Sequence, residues 1–207
     1  GVRGAAGRGV PDADAAAAAA EAKRKRVLRA LTISSMINCT SWFMMIPARP
    51  AMVALFNKEP AFVGQTLASM TSGASLFEFL LTPFLGALSD KVGRRPVLLG
   101  SAIVCAVARI ITFLAGNVSL RAVVAANWAD RCLSGAAFPL FLTTAFAAAT
   151  DLYKETGDKS VLTELQTAVH SIVGAALIVG PTAGAVVMSR AGHPRFAALL
   201  AAAISAA

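Results

Sequence analysis

The sequence predicts an all-α membrane protein, and three observations predict it. The 207 residues are 57% hydrophobic and only 14% charged, with mean hydropathy +0.67, whereas soluble domains are about a quarter charged. The apolar residues fall in long runs separated by short polar turns. Within those runs both sequence parities are apolar, where a membrane barrel strand would alternate over about ten residues. Lipid is the solvent that lets apolar side chains face outward, and the helix is the form that satisfies its own backbone there.

A bilayer core needs about 20 apolar residues in a helix. Residues 1–26 read as a low-complexity, basic tail of Gly, Ala and Arg that builds no core. The first span is expected over 27–47. Ala48 to Glu59 then reads as a loop, punctuated by Pro47, Pro50 and Pro60. Further spans are expected over 61–88, 96–115, 121–150 and 162–189, with Ser89 to Arg95 a charged turn and Asp151 to Lys159 a polar loop. A sixth run, 195–207, has about 12 residues from Phe196, or about 18 Å of helix, and is too short to cross. The expectation is five complete spans and an incomplete sixth.

The formal charge of +8 does not point to nucleic acid. Much of the excess is one cluster, Lys23 to Arg26, directly before an apolar run, where basic residues set topology. One side of the spans carries that cluster with Arg29, Lys91, Arg94, Arg95, Lys154 and Lys159. The other carries Arg49, Lys58, Arg121, Arg190 and Arg195. The bias places the N-terminus in the cytoplasm. Cys39, Cys105 and Cys132 lie within apolar runs and lack metal-ligand spacing. No cofactor or metal is expected. With His170 and His193 the only histidines, and no phosphate-binding glycine loop, no enzyme constellation is present in the sequence.

The turn after the second span reads Gly86-Ala87-Leu88-Ser89-Asp90-Lys91-Val92-Gly93-Arg94-Arg95-Pro96. Gly86 would let another helix approach closely, Gly93 would permit a tight reversal, and Asp90, Arg94 and Arg95 gather charge at a membrane edge. The stretch resembles the G-x-x-x-D-[RK]-x-G-R-[RK] loop of the major facilitator superfamily, in the position that family gives it. Arg131 to Gly135 with Pro139 is similar to the family's R-x-x-x-G pattern. Gly180, Pro181 and Gly184 resemble the helix-bend motif of its antiporters, with Ala176 and Ala185 where glycines are usual. The resemblance runs from Val27 to Ala207. It implies the N-terminal six-helix half of a twelve-helix transporter of drug/proton antiporter type, with the second half as a missing partner. It also implies a charged cytoplasmic gate in which Asp90, Lys91, Arg94 and Arg95 act with Asp151.

Charge inside a membrane costs several kcal/mol, on the order of 3 or more, and marks functional positions. Asn38, Glu78, Asp130 and Arg131 fall within a few turns of one depth and are the candidate cavity residues. Arg131 would contact an anion or a proton carrier, and Glu78, before Asp130, would titrate. The bland alternative pairs one of those carboxylates with Arg131 as structure. Arg109 reads as a cation snorkelling to the outer headgroups. Trp42 reads as an interface anchor, and Trp128 as a deeper residue able to face the cavity. The expected function is secondary transport of a small solute by alternating access, with protons as the coupling partner and the bilayer as environment. The alternative is a membrane scaffold that kept the fold without transporting.

Overall fold

The computed structural model describes residues 13–156 and 160–206, and among these every regular element is helical. The helices are α1 (Ala13–Ala54), α2 (Pro60–Val92), α3 (Arg94–Ala115), α4 (Leu120–Thr156), α5 (Ser160–Ala191) and α6 (Arg195–Ala206). Four stretches are long and apolar enough to cross a membrane: Pro60–Val92, Arg94–Ala115, Leu120–Ala148 and Gln166–Ala191. The middle of α1 carries Ser34, Ser35, Asn38, Thr40 and Ser41, and that polarity separates it from the four. At 12 residues α6 is about 18 Å long.

Several boundaries move relative to the sequence reading. The tail is helical from Ala13, so α1 spans 42 residues and about 63 Å. Residues 15–23 are exposed, so this extension builds no core. The expected loop after Pro47 is helical to Ala54, with Pro47 and Pro50 inside α1. A proline in a helix loses one backbone bond. Here burial of Ala48, Met52 and Val53 against α6 holds the turn in place. The polar loop from Asp151 continues α4 through Thr156, and Lys159 lies outside the described residues.

The bundle's outer face is apolar, and its core, though mostly apolar, also holds polar groups. Phe79, Phe84 and Ile178 are each more than 70% exposed, and Leu76, Ile103 and Leu114 more than 60%. The interior holds Ser35, Asn38, Ser41, Arg49, Arg109, Thr112, Asn127, Asp130 and Ser134. Apolar side chains outward and polar groups inward is what a hydrocarbon solvent selects. Arg109 does not snorkel. It is fully buried, and its guanidinium donates to Ser41 Oγ at 2.6 Å on α1 and to Ser205 Oγ on α6. Ser41 in turn donates to the Ala201 carbonyl at 2.5 Å. One buried cation thus ties α3, α1 and α6.

The most extensive pairing joins α1 to α5, and its closeness comes from glycine. A Cβ on Gly180 would lie 2.7 Å from Phe43 Cβ and 2.9 Å from the Thr40 carbonyl oxygen. One on Gly184 would lie 2.7 Å from the Met44 carbonyl oxygen. The sequence reading took these glycines, with Pro181, as a helix-bend motif; α5 continues through Pro181 to Ala191, and both glycines serve packing. Gly180→Val should push α1 from α5 and destabilise the bundle by about 1–3 kcal/mol. Gly174→Ala, where the added Cβ meets nothing within 4 Å, should be neutral or gain up to about 1 kcal/mol. Thermal unfolding in detergent checks both, and equal melting temperatures for the two variants would remove the packing role.

Candidate functional site

Two polar constellations stand out, one inside the bundle and one at the α2–α3 turn. The interior one begins with a pair the sequence did not suggest. Arg49, expected in an outer loop, lies on α1 and is 7% exposed. Its Nη2 donates to Asp130 Oδ2 on α4 at 2.7 Å, and the Asp130 side chain is fully buried. Two opposite charges that leave water need this geometry, because a lone buried ion is far more costly than the pair. The pairing also corrects the sequence reading of Asp130: its partner is Arg49, and Arg131 beside it in sequence points elsewhere.

Arg131 is half-buried, and its guanidinium lies 5.5 Å from the centre of the Trp42 ring. That ring stacks on Phe138 at 5.3 Å with planes 19° apart. Among the described residues no carboxylate pairs with Arg131 within 4 Å; Glu78 on α2, Arg49 and Asp130 are the charged side chains that act on it. Gly135, one turn along α4, brings Glu78 and Arg131 together. A Cβ there would collide with the Arg131 guanidinium and lie 3.4 Å from Glu78 Oε2. The R-x-x-x-G spacing thus leaves room for the Arg131 guanidinium beside this turn of α4.

Trp42, Arg49 and Arg131 line a pocket of about 420 Å³ with Thr71, Ile46, Pro50, Leu67 and Met70. The volume lies in the range of about 300–1,000 Å³ typical of small-molecule sites. Trp42 Nε1, Arg49 Nε and Arg131 Nη1 have no exposed surface and no hydrogen-bond partner among the described residues. Trp42 is therefore a pocket wall and not an interface anchor. Trp128 does not face this pocket; its ring packs so closely on Gly73 of α2 that a Cβ there would clash. Asn38 is also set apart. It lines a second cavity, of about 220 Å³, with Leu31, Ser34, Leu98, Phe141 and Ser205. Of the four interior candidates, Glu78 and Arg131 meet at one site, Asp130 stands behind it on Arg49, and Asn38 does not join them. Arg49 and Thr71 were not singled out by the sequence; for Arg49 the usable signal was that Pro47 and Pro50 sit among residues apolar enough to be buried.

The second constellation forms where α2 reverses into α3. Gly93 has φ +98°, a backbone state that favours glycine, and its N–H bonds the Ser89 carbonyl at 3.1 Å. The reversal carries Arg94 back over the end of α2. Its Nη1 donates to Asp90 Oδ1 at 2.5 Å and to Ser89 Oγ at 3.2 Å, and its Nε to Asp151 Oδ2 on α4 at 3.4 Å. Ser89 and Thr144 hydroxyls meet at 3.2 Å, which continues the link into α4. Lys91 and Arg95 are exposed and take no part among the described ion pairs. Within this chain a Cβ on Gly86 meets nothing within 4 Å. It borders an open cleft of about 200 Å³ with Ser89, Asp90, Arg94 and Thr143.

Comparison with curated proteins and with solved structures returns no match. The family model described as Major Facilitator Superfamily matches residues 31–207. That match covers all six helices apart from the first turns of α1, and includes both constellations. The chain is a multi-pass integral membrane protein and belongs to the Major Facilitator Superfamily of transporters.

Proposed function

We propose that this chain supplies one helical bundle of a secondary transporter that moves a small solute by alternating access, driven by protons. The observation that carries this reading is Arg131 on the pocket wall, half-buried and outside the described ion pairs, with the Glu78 carboxylate reaching the same turn of α4 at Gly135.

Proton coupling is assigned to Glu78 ahead of Asp130. Asp130 is held by Arg49 at 2.7 Å with no exposed surface, whereas Glu78 is partly exposed and makes no ion pair within 4 Å. The open cleft beside Gly86 receives a helix end of a second bundle, which completes the gate. The N-terminus and the Arg94 turn face the cytoplasm. Removing Arg49 from the outer set of basic residues strengthens the bias that supports this orientation.

Two experiments test the reading. In proteoliposomes, Glu78→Gln should reduce proton flux coupled to solute at least about tenfold, a change of about 1.4 kcal/mol, and should flatten its pH dependence. Wild-type coupled flux in that variant removes Glu78 from the mechanism. The gate is tested by Asp90→Asn. The side chains of Arg94, Asp90 and Asp151 are 31%, 69% and 49% exposed, so solvent screening limits the network to about 1 kcal/mol, or about a fivefold shift in access equilibrium. Transport should slow by about that factor at equal abundance, and exchanging the charges of Arg94 and Asp151 should recover part of it. Unchanged transport in Asp90→Asn would leave the turn with a topological role alone.

A further inference from the structure

At the opposite end of α3 from Arg94, the turn from α3 into α4 meets the turn from α5 into α6. Three polar side chains join them: Asn117 on the first turn, His193 on the second, and Arg195 at the start of α6. The Arg195 guanidinium lies over two rings, 5.2 Å from the centre of Phe113 on α3 and 5.3 Å from that of Phe196. A guanidinium only donates, so the Asn117 amide turns its oxygen toward it, accepting from Nη1 at 2.6 Å and from Nη2 at 3.2 Å. The Asn117 NH2 then stands 2.5 Å from His193 Nε2 and 3.3 Å from the Gly116 carbonyl oxygen. Gly116 lets the two turns close up, since a Cβ there would lie 2.7 Å from Arg195 Cβ.

Among the described residues, the polar groups that face the His193 ring are all donors. The Arg195 backbone N–H meets Nδ1 at 3.2 Å, and the Asn117 NH2 meets Nε2. Arg195 is the charged side chain that acts on the ring. A neutral imidazole has one ring lone pair to offer these donors, and an imidazolium has none. Proton uptake therefore removes the acceptor and sets a second positive charge beside Arg195. Burial first, and the Arg195 charge second, hold the pKa of His193 below its ordinary value of 6.5. The contact is intact above that value, where the ring is neutral in the closed and the open turn alike. It weakens as the pH falls from there through the lower value of the closed turn.

The ring also holds the start of α6. Its Nδ1 answers a backbone N–H that the first turn of a helix leaves without a partner. Ala197, Ala198 and Ala201 of that helix share a buried cluster with Met44 and Met45 of α1, so the first turn of α6 bears on α1.

We propose that Asn117, His193 and Arg195 form a clasp between the α3–α4 and α5–α6 turns, which the neutral His193 ring holds shut and a proton on that ring releases. Acidification on this side of the membrane then frees the start of α6 from α3. The device does not depend on which solute the chain moves.

Hydrogen exchange of the Arg195 backbone amide tests it, read by mass spectrometry on the purified full chain in detergent and corrected for the intrinsic pH dependence of exchange. Protection should hold steady above about pH 7 and fall below it by up to about tenfold per unit, the limit for one linked proton. In His193→Asn the side-chain oxygen can take the Arg195 N–H, as asparagine does at helix starts, and it binds no proton. Protection in that variant should stay level over the same range. Level protection in the native protein would overturn the proposal whether or not the variant folds. An equal fall in His193→Asn would overturn it too, because the titrating group would then lie elsewhere.

Discussion

The buried ion pair between Arg49 and Asp130 is the interaction on which the interior depends. It joins α1 to α4 at 2.7 Å with almost no exposed surface. In low dielectric such a pair contributes little net stability over an apolar core, but removing one partner leaves an unanswered charge and costs about 3–5 kcal/mol. The pair therefore acts mainly as a constraint on which groups remain free. Asp130 is committed to Arg49, and the neighbouring Arg131 turns to the Trp42 face. A cation over an aromatic ring gains about 0.5–2 kcal/mol, less than an ion pair would supply in the same place.

A second buried cation is accommodated differently. Arg109 is answered by the hydroxyls of Ser41 and Ser205, with Ser41 and Ser205 themselves 2.7 Å apart. This polar node fixes α1 against α3 and α6, while Gly180 and Gly184 fix its opposite face against α5. Held from these directions, α1 presents Trp42 and Arg49 as parts of a rigid wall. The Arg94 network has the opposite character. It is partly exposed and rests on one glycine reversal.

Much of the fold was legible because lipid imposes long apolar runs, and the charged turn was legible because Gly93, Asp90 and Arg94 are local in sequence. The trio with Asp151 assembles as the sequence suggested. The interior was less legible, since hydropathy reports depth along a helix but not the direction a side chain faces. Asn38, Asp130 and Arg131 share a depth, yet Asn38 lines a different cavity and Asp130 looks to α1. Arg49 was hidden by its prolines. Pro47 and Pro50 mark a loop in water, but α1 carries them because packing against α6 supports that turn. Arg109 was misplaced for a related reason: its serine partners lie 68 and 96 residues away, beyond any local pattern.

The central claim is that Asp130 answers Arg49 and leaves Arg131 free. Thermal unfolding of a double-mutant series tests it most directly. Asp130→Leu should destabilise the protein by about 3–5 kcal/mol, and adding Arg49→Met should restore most of that loss, because the orphaned charge is then gone. Adding Arg131→Met to Asp130→Leu should restore nothing. Rescue by Arg131→Met, with none from Arg49→Met, would contradict the account and return Asp130 to the arginine beside it in sequence.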